Sequence, residues 1–218
     1  PHSGRISCQA VVIESDGEDA WVEGLPLNRD WTTMTNEEIL GAIQSAGIVG
    51  MGGATFPAHI KLKPAKPVDI LILNGAECEP YLTADYRLML EEADKIVTGT
   101  RILGKILGVK RSVIGIEDNK PEAIKVMQQA CAGKDIEVAA LKTKYPQGAE
   151  KMLIKVIADR EVPMGGLPMD VGAVVQNVGT VAAITDAVVS GLPLTERITT
   201  VSGDAIAQPK NLRVRIGT

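Results

Sequence analysis

The chain opens with two short β-like runs, residues 6–12 and 20–22, on either side of the turn Ser15-Asp16-Gly17-Glu18. Runs this brief predict the end of an element that begins earlier rather than a domain of their own. The pattern then turns helical. Thr35-Asn36-Glu37-Glu38 has the form of a capping box and predicts a helix to about Ala46, closed by Gly47. Residues 68–73, VDILIL, are a continuous apolar run of strand length, followed by a polar turn and a long helical stretch over about 83–107. The unit repeats: a strand at 112–116, a helix with Pro121 in its first turn reaching Cys131, a strand at 136–141, a helix at 147–158, a strand at 171–176 and a helix at 178–189. Strands buried on both faces, alternating with helices, predict an α/β fold: a Rossmann-like, mostly parallel sheet flanked by helices with right-handed crossovers. From Arg197 two short alternating runs surround a Gly/Pro turn and predict the opening strands of a separate β domain. The expected organisation is therefore 1–25 as the end of a preceding β-rich domain, 26–196 as the α/β domain, and 197–218 as a truncated β unit.

Composition narrows the function classes. A chain of 218 residues, 45% hydrophobic and 23% charged, is long enough to bury a sizeable core. A net charge of -4 and six aromatic side chains argue against a nucleic-acid surface. No apolar run approaches a membrane span and no signal-peptide succession opens the chain, so direct membrane insertion is not expected, although docking on a membrane partner stays open. Cys8, Cys78 and Cys131 are far apart and form no CxxC, so neither a disulfide framework nor a metal site is read from them, and a reducing cytoplasm is the expected setting. The chain begins Pro1-His2 without methionine, which leads us to expect a piece of a longer protein.

Four turns carry candidate chemistry. The first is Gly50-Met51-Gly52-Gly53-Ala54. Its glycines let backbone N–H groups converge on an anion, although the spacing is neither GxGxxG nor a P-loop and a plain tight loop satisfies it equally. Lys61 and Lys63 follow as candidate phosphate charges or solvated lysines. Phe56 is a stacking platform or a packing ring. His59 stands alone, without a paired carboxylate. The second turn, Asn74-Gly75-Ala76-Glu77-Cys78-Glu79-Pro80, directly follows a strand, where open α/β sheets bind ligands; an amide and carboxylates there suit a heterocycle with donors and acceptors, or cap the next helix. The third, Tyr145-Pro146-Gln147-Gly148-Ala149-Glu150, and the fourth, Gln176-Asn177-Val178-Gly179-Thr180, open helices whose free N–H groups suit phosphate or ordinary capping.

The combination GMGGATFP, NGAECEP, YPQGAEK and QNVGT resembles the RnfC family, the NADH-facing subunits of Rnf electron-transport complexes, and more distantly the FMN-bearing, NADH-oxidising subunit of respiratory complex I. The resemblance spans essentially the whole chain. It implies that Gly50, Gly52, Gly53 and Ala54 approach FMN and the nucleotide, that Lys61 reaches the ribityl or phosphate part, and that Phe56 stacks against NADH. It further implies Asn74 at the isoalloxazine edge, Glu77 where flavin and nicotinamide face each other, and Glu79 at the rim. Tyr145, Gly148 and Glu150 would line the nucleotide side, and Asn177 and Thr180 would hold the FMN phosphate. Ala76 and Thr55 depart from the complex I pattern, which has an acidic residue and a glycine there.

The same resemblance implies a flavin module that exchanges a hydride with NADH and passes single electrons to iron–sulfur clusters. Two [4Fe-4S] clusters are expected only in a C-terminal domain outside this chain, and 197–218 would open a β-grasp (SLBB-like) domain. The expected partners are NAD(H) and the other membrane and iron–sulfur subunits of such a complex, with the chain peripheral on the cytoplasmic side of the bacterial membrane and electron flow between NAD and ferredoxin coupled to sodium or proton movement. An RnfC-like cobalamin reductase of microcompartments shares the motifs, and a non-catalytic nucleotide-binding or scaffold module is the rival from another class.

Overall fold

The computed structural model describes residues 11, 12, 14, 16–18 and 20–217. Helix α1, Asn36–Ser45, starts from the expected capping box: Thr35 accepts from the Glu38 amide, and the Glu38 carboxylate accepts from the Thr35 amide at 2.7 Å. Gly47 follows at φ 66, the left-handed conformation that ends a helix. The short α2 is Ala58–Lys61. Four parallel strands, β1 Ile70–Asn74, β2 Arg111–Glu117, β3 Ile136–Leu141 and β4 Ala173–Asn177, form one sheet in the order β3-β2-β1-β4.

Period-two alternation sends β1 side chains to two cores. Leu71 and Leu73 join Ile114, Ile116 and Val174 in the larger core, which takes in the buried faces of α1, α3 Ala84–Glu91, α4 Ala93–Leu107, α5 Pro121–Cys131 and α7 Val178–Ser190. Ile70 and Ile72 join Val113 and Val175 in the smaller core under α6, Glu150–Ala158. The sheet is thus sandwiched between helical layers, as the alternating pattern predicts.

Two expectations need correction. The helical stretch over 83–107 is not one helix: it breaks at Glu92, where φ -128 and ψ 31 leave the helical region, so α3 and α4 are separate helices. Nothing in a Leu-Glu-Glu-Ala sequence signals this. What fixes α4 is Gly99, whose missing Cβ lets the helix approach α7 so closely that a methyl group would lie 2.5 Å from the Val181 carbonyl oxygen. Residues 20–22 form no strand: Trp21 and Val22 are exposed and unpaired in any sheet. The run at 6–12 lies almost wholly outside the described residues.

At the carboxyl end, β5 Glu196–Val201 and β6 Lys210–Arg215 pair antiparallel as a separate two-stranded sheet. It lies against the start of α3, where the Thr83 amide donates to Thr200 Oγ1 at 3.1 Å and Asn211 Nδ2 donates to the Thr83 carbonyl at 3.0 Å.

Candidate functional site

The chain leaves β1 toward β2 and β3 on one side, then returns past β1 to β4 on the other. Strand order therefore reverses between β1 and β4, and the crevice outside their carboxyl ends is where open sheets of this kind bind ligands. The last residues of these strands are asparagines at the same register, Asn74 opposite Asn177. Around them opens a cleft of about 930 Å³. Gly52, Gly53, Asn74, Glu77, Glu79, Tyr145, Gly148 and Asn177 line it, so residues from all four sequence turns meet in one place.

Each wall is held by its neighbour. The glycine-rich loop is pinched at its base by the antiparallel bridge between Val49 and Pro57, with the Gly50 amide donating to the Phe56 carbonyl at 2.8 Å. Gly53, at φ 122, occupies a conformation closed to most side chains. Met51 ties the loop to α7 by donating its amide to Thr180 Oγ1 at 2.9 Å, and Gly52 comes so near that an added Cβ would lie 3.4 Å from Asn177 Cβ. Asn74 bridges two other turns: its Nδ2 donates to the Gly148 carbonyl at 2.8 Å and its Oδ1 accepts from the Ala76 amide at 3.2 Å. The Gly148 amide donates to Cys78 Sγ at 3.2 Å, and a Cβ on Gly148 would lie 3.1 Å from the same sulfur.

Two helix N-termini converge on the cleft, and the protein supplies acceptors to both. Thr83, which precedes α3, makes no side-chain cap. Glu77 reaches across instead, accepting from the Asp85 amide at 2.7 Å and the Tyr86 amide at 3.0 Å. At α7, Asn177 Oδ1 accepts from the Gly179 and Thr180 amides at 2.9 and 3.2 Å, while its Nδ2 donates to Asp85 Oδ2 at 2.7 Å. Burial, and then the neighbouring Asp85 carboxylate, push the Glu77 pKa up to about 7, against the pull of the two amides and of Lys120. Burial likewise raises that of Asp85, opposed by Asn177, Arg197 and Lys120.

The other sequence-predicted residues lie apart from the cleft wall, except Tyr145 at its margin. Gly50 sits at the base of the loop, while Ala54 and Phe56 are on its exposed outer part, Phe56 being 49% exposed. Tyr145 is 68% exposed at the margin, next to a cis bond to Pro146. Lys61 and Glu150 pair with each other at 2.5 Å. Thr180 is fully buried behind the loop it holds. Sequence reasoning passed over three charged residues. Asp85 lies in the cleft, and Arg197 lines it from β5 while donating to the Met51 carbonyl at 2.9 Å. Lys120 is nearly buried; its Nζ donates to the Ala76 carbonyl at 2.8 Å and lies 3.6 Å from the buried carboxylate of Glu117. The only local signals are an acidic residue in a helix's first turn and a lysine just before a helix-opening proline.

Among the described residues, no group of His, Cys, Asp or Glu is placed to hold a metal ion, and no helix is long and apolar enough to cross a membrane.

The Nuo51 FMN-binding domain family matches residues 43–186, which contain the glycine-rich loop, both asparagines and α7 up to Asp186. Over the whole chain, the sequence is 63% identical to a component of the proton-translocating ferredoxin:NAD(+) oxidoreductase complex of Clostridium ljungdahlii, covering 48% of that protein. It is 49% identical to the corresponding component of the Na(+)-translocating ferredoxin:NAD(+) oxidoreductase complex of Acetobacterium woodii, covering 50% of it. The chain thus spans about half the length of these relatives, and the resemblance to RnfC read from its motifs holds along its full length. In three dimensions it is similar to a chain of an NAD+-reducing [NiFe]-hydrogenase in the air-oxidized state, with a TM-score of 0.71, 24% identity, and coverage of 84% of this chain and 37% of that one, a likeness of fold. With the family match extending over most of the α/β domain and centred on the cleft, the chain belongs to the Nuo51 FMN-binding domain family.

Proposed function

We propose that this chain is the flavin module of an electron-transport complex, binding FMN in the cleft at the β1–β4 switch point and exchanging a hydride with NADH for onward transfer of single electrons. The observation that carries this reading is the pair Asn74 and Asn177, at one register level, with the glycine-rich loop folded over the second. The residues present fit the cofactor. The cleft volume of about 930 Å³ lies within the ordinary range for small-molecule sites. Its floor is kept open by Gly179, where a Cβ would lie 3.0 Å from Asn177 Oδ1, and by Gly148.

In this assignment Asn74 offers amide groups to the flavin edge, and Gly52 and Gly53 offer backbone without side chains. Asn177 and the start of α7, steadied by Thr180, receive the phosphate. Phe56 and Tyr145 present exposed rings to the second nucleotide, and Glu79 stands at the rim. Lys61 reaches toward the ribityl or phosphate part once Glu150 releases it, and Glu150 is then free on the nucleotide side. When bound, FMN supplies the hydride acceptor and the passage from two-electron to one-electron chemistry. The protein's part is alignment, exclusion of water and control of charge: Glu77 holds or releases a proton near neutral pH at its carboxylate.

The same proposal extends to the whole protein. Residues 1–25 close a preceding domain, 197–218 open a β-grasp domain, and two [4Fe-4S] clusters in a further domain take the electrons. The assembled complex, peripheral on the cytoplasmic face of the membrane, couples NAD and ferredoxin to ion movement, as the names of the relatives state for those proteins. The test is reconstitution: purified protein mixed with FMN and freed of excess is expected to retain flavin near one equivalent by visible absorbance. A folded protein that retains none refutes the assignment.

A further inference from the structure

The two helix N-termini at the cleft are already provided with oxygen acceptors, Glu77 at α3 and Asn177 at α7. Behind Asn177 stands a second carboxylate. The Asp85 carboxylate bonds Asn177 Nδ2 through Oδ2 at 2.7 Å, and its Oδ1 lies 3.5 Å from the point where a Cβ on Gly179 would stand. It therefore sits over the first turn of α7, where the helix dipole favours an anion. The charged groups facing Asp85 are Glu77 from the β1–α3 turn, Arg197 from β5 and Lys120 from the segment before α5. Arg197 is shared with the Met51 carbonyl, and Lys120 with the Ala76 carbonyl. Neither cation is dedicated to Asp85.

We propose that Asp85 is a built-in counter-anion at the α7 N-terminus, so that the phosphate of a bound flavin nucleotide enters only as Asp85 takes up a proton from solvent, making this carboxylate a determinant of selectivity between phosphorylated and dephosphorylated flavin. The inference rests on the FMN reading above. Its physical content is like-charge exclusion: a dianionic phosphate beside an ionised aspartate in a partly desolvated cleft is strongly disfavoured, and neutralising the aspartate removes the conflict. Because the bound state holds one more proton than the free state, affinity for FMN rises as pH falls. Above the Asp85 pKa it weakens by up to about tenfold per pH unit. Riboflavin shares the ring and hence any effect of Glu77, but has no phosphate to conflict with Asp85.

The experiment measures dissociation constants of FMN and riboflavin by flavin fluorescence at pH 7, 8 and 9, where the free phosphate is already largely dianionic. It compares the wild type with Asp85→Asn, and adds titration calorimetry of the wild type in two buffers of different ionisation enthalpy to count protons. The wild type is expected to lose FMN affinity with rising pH more steeply than riboflavin affinity, and to take up more protons with FMN than with riboflavin. Asp85→Asn is expected to bind FMN more tightly than the wild type, by a factor that grows up to about tenfold for each pH unit above the Asp85 pKa, with a flat profile of its own and riboflavin affinity unchanged. Equal proton uptake for the two flavins in the wild type, or an FMN profile unaltered by the substitution, overturns the proposal. Calorimetry on the wild type decides even if the variant fails to fold. Riboflavin binding with pH-independent FMN binding defeats this inference alone, whereas binding of neither flavin defeats the FMN reading and this inference with it.

Discussion

Replacing Glu77 by glutamine separates two things the carboxylate does. It caps α3 by accepting from two amides, and it bears a charge that its surroundings disfavour. A rise from 4.5 to about 7 corresponds to roughly 3 kcal/mol, at about 1.4 kcal/mol for each tenfold in proton affinity. Solvent reaching the cleft reduces this to about 2 kcal/mol. The folded state binds the proton more tightly than the unfolded chain. The group's contribution to stability is therefore complete below pH 4.5 and is lost as pH rises through about 7. Glutamine keeps the size and one acceptor but not the titration, and weakening the cap costs about 1 kcal/mol. Urea unfolding at pH 4 and pH 8.5, followed by circular dichroism, is expected to find Glu77→Gln less stable than wild type by about 1 kcal/mol in acid. In base the variant should be more stable by a similar amount, so that the sign reverses. Parallel stability profiles for the two proteins between these pH values would refute the claim that Glu77 carries a strained charge.

Three further substitutions test the supports of the cleft. Gly99→Ala places a Cβ 2.5 Å from the Val181 carbonyl and 2.6 Å from Thr185 Oγ1, so thermal unfolding should report a loss of roughly 3 kcal/mol as α4 and α7 separate. Thr180→Val removes the acceptor for the Met51 amide; stability should fall by about 1 kcal/mol and hydrogen exchange at Met51 should accelerate, while the α7 amides capped by Asn177 stay protected. Lys120→Met deprives the buried Glu117 of its cation and the Ala76 carbonyl of its donor, with an expected loss of about 3 kcal/mol in denaturant unfolding at neutral pH.

The layered α/β fold was legible because its signals are local: an apolar run for β1, a capping box for α1, a proline opening α5, and β3 at its observed bounds. The break at Glu92 was not legible. It lies among good helix formers and carries no local mark, just as the close packing of α4 on α7 at Gly99 is a tertiary contact. The four turns of the candidate site were visible as punctuation, but their meeting depends on strand order. That Asn74 and Asn177 become register neighbours follows only once β4 returns beside β1. Asp85, Lys120 and Arg197 were passed over for the same reason. In the sequence they are solitary charges, and their partners Asn177, Ala76 and Met51 lie 92, 44 and 146 residues away.

The central claim is that this cleft brings FMN and NADH together for hydride transfer, and it is tested most directly by an anaerobic absorbance spectrum of the FMN-loaded protein before and after addition of NADH. Rapid loss of the oxidised-flavin band near stoichiometric NADH is the predicted result. A tightly bound flavin whose spectrum NADH leaves unchanged would contradict it.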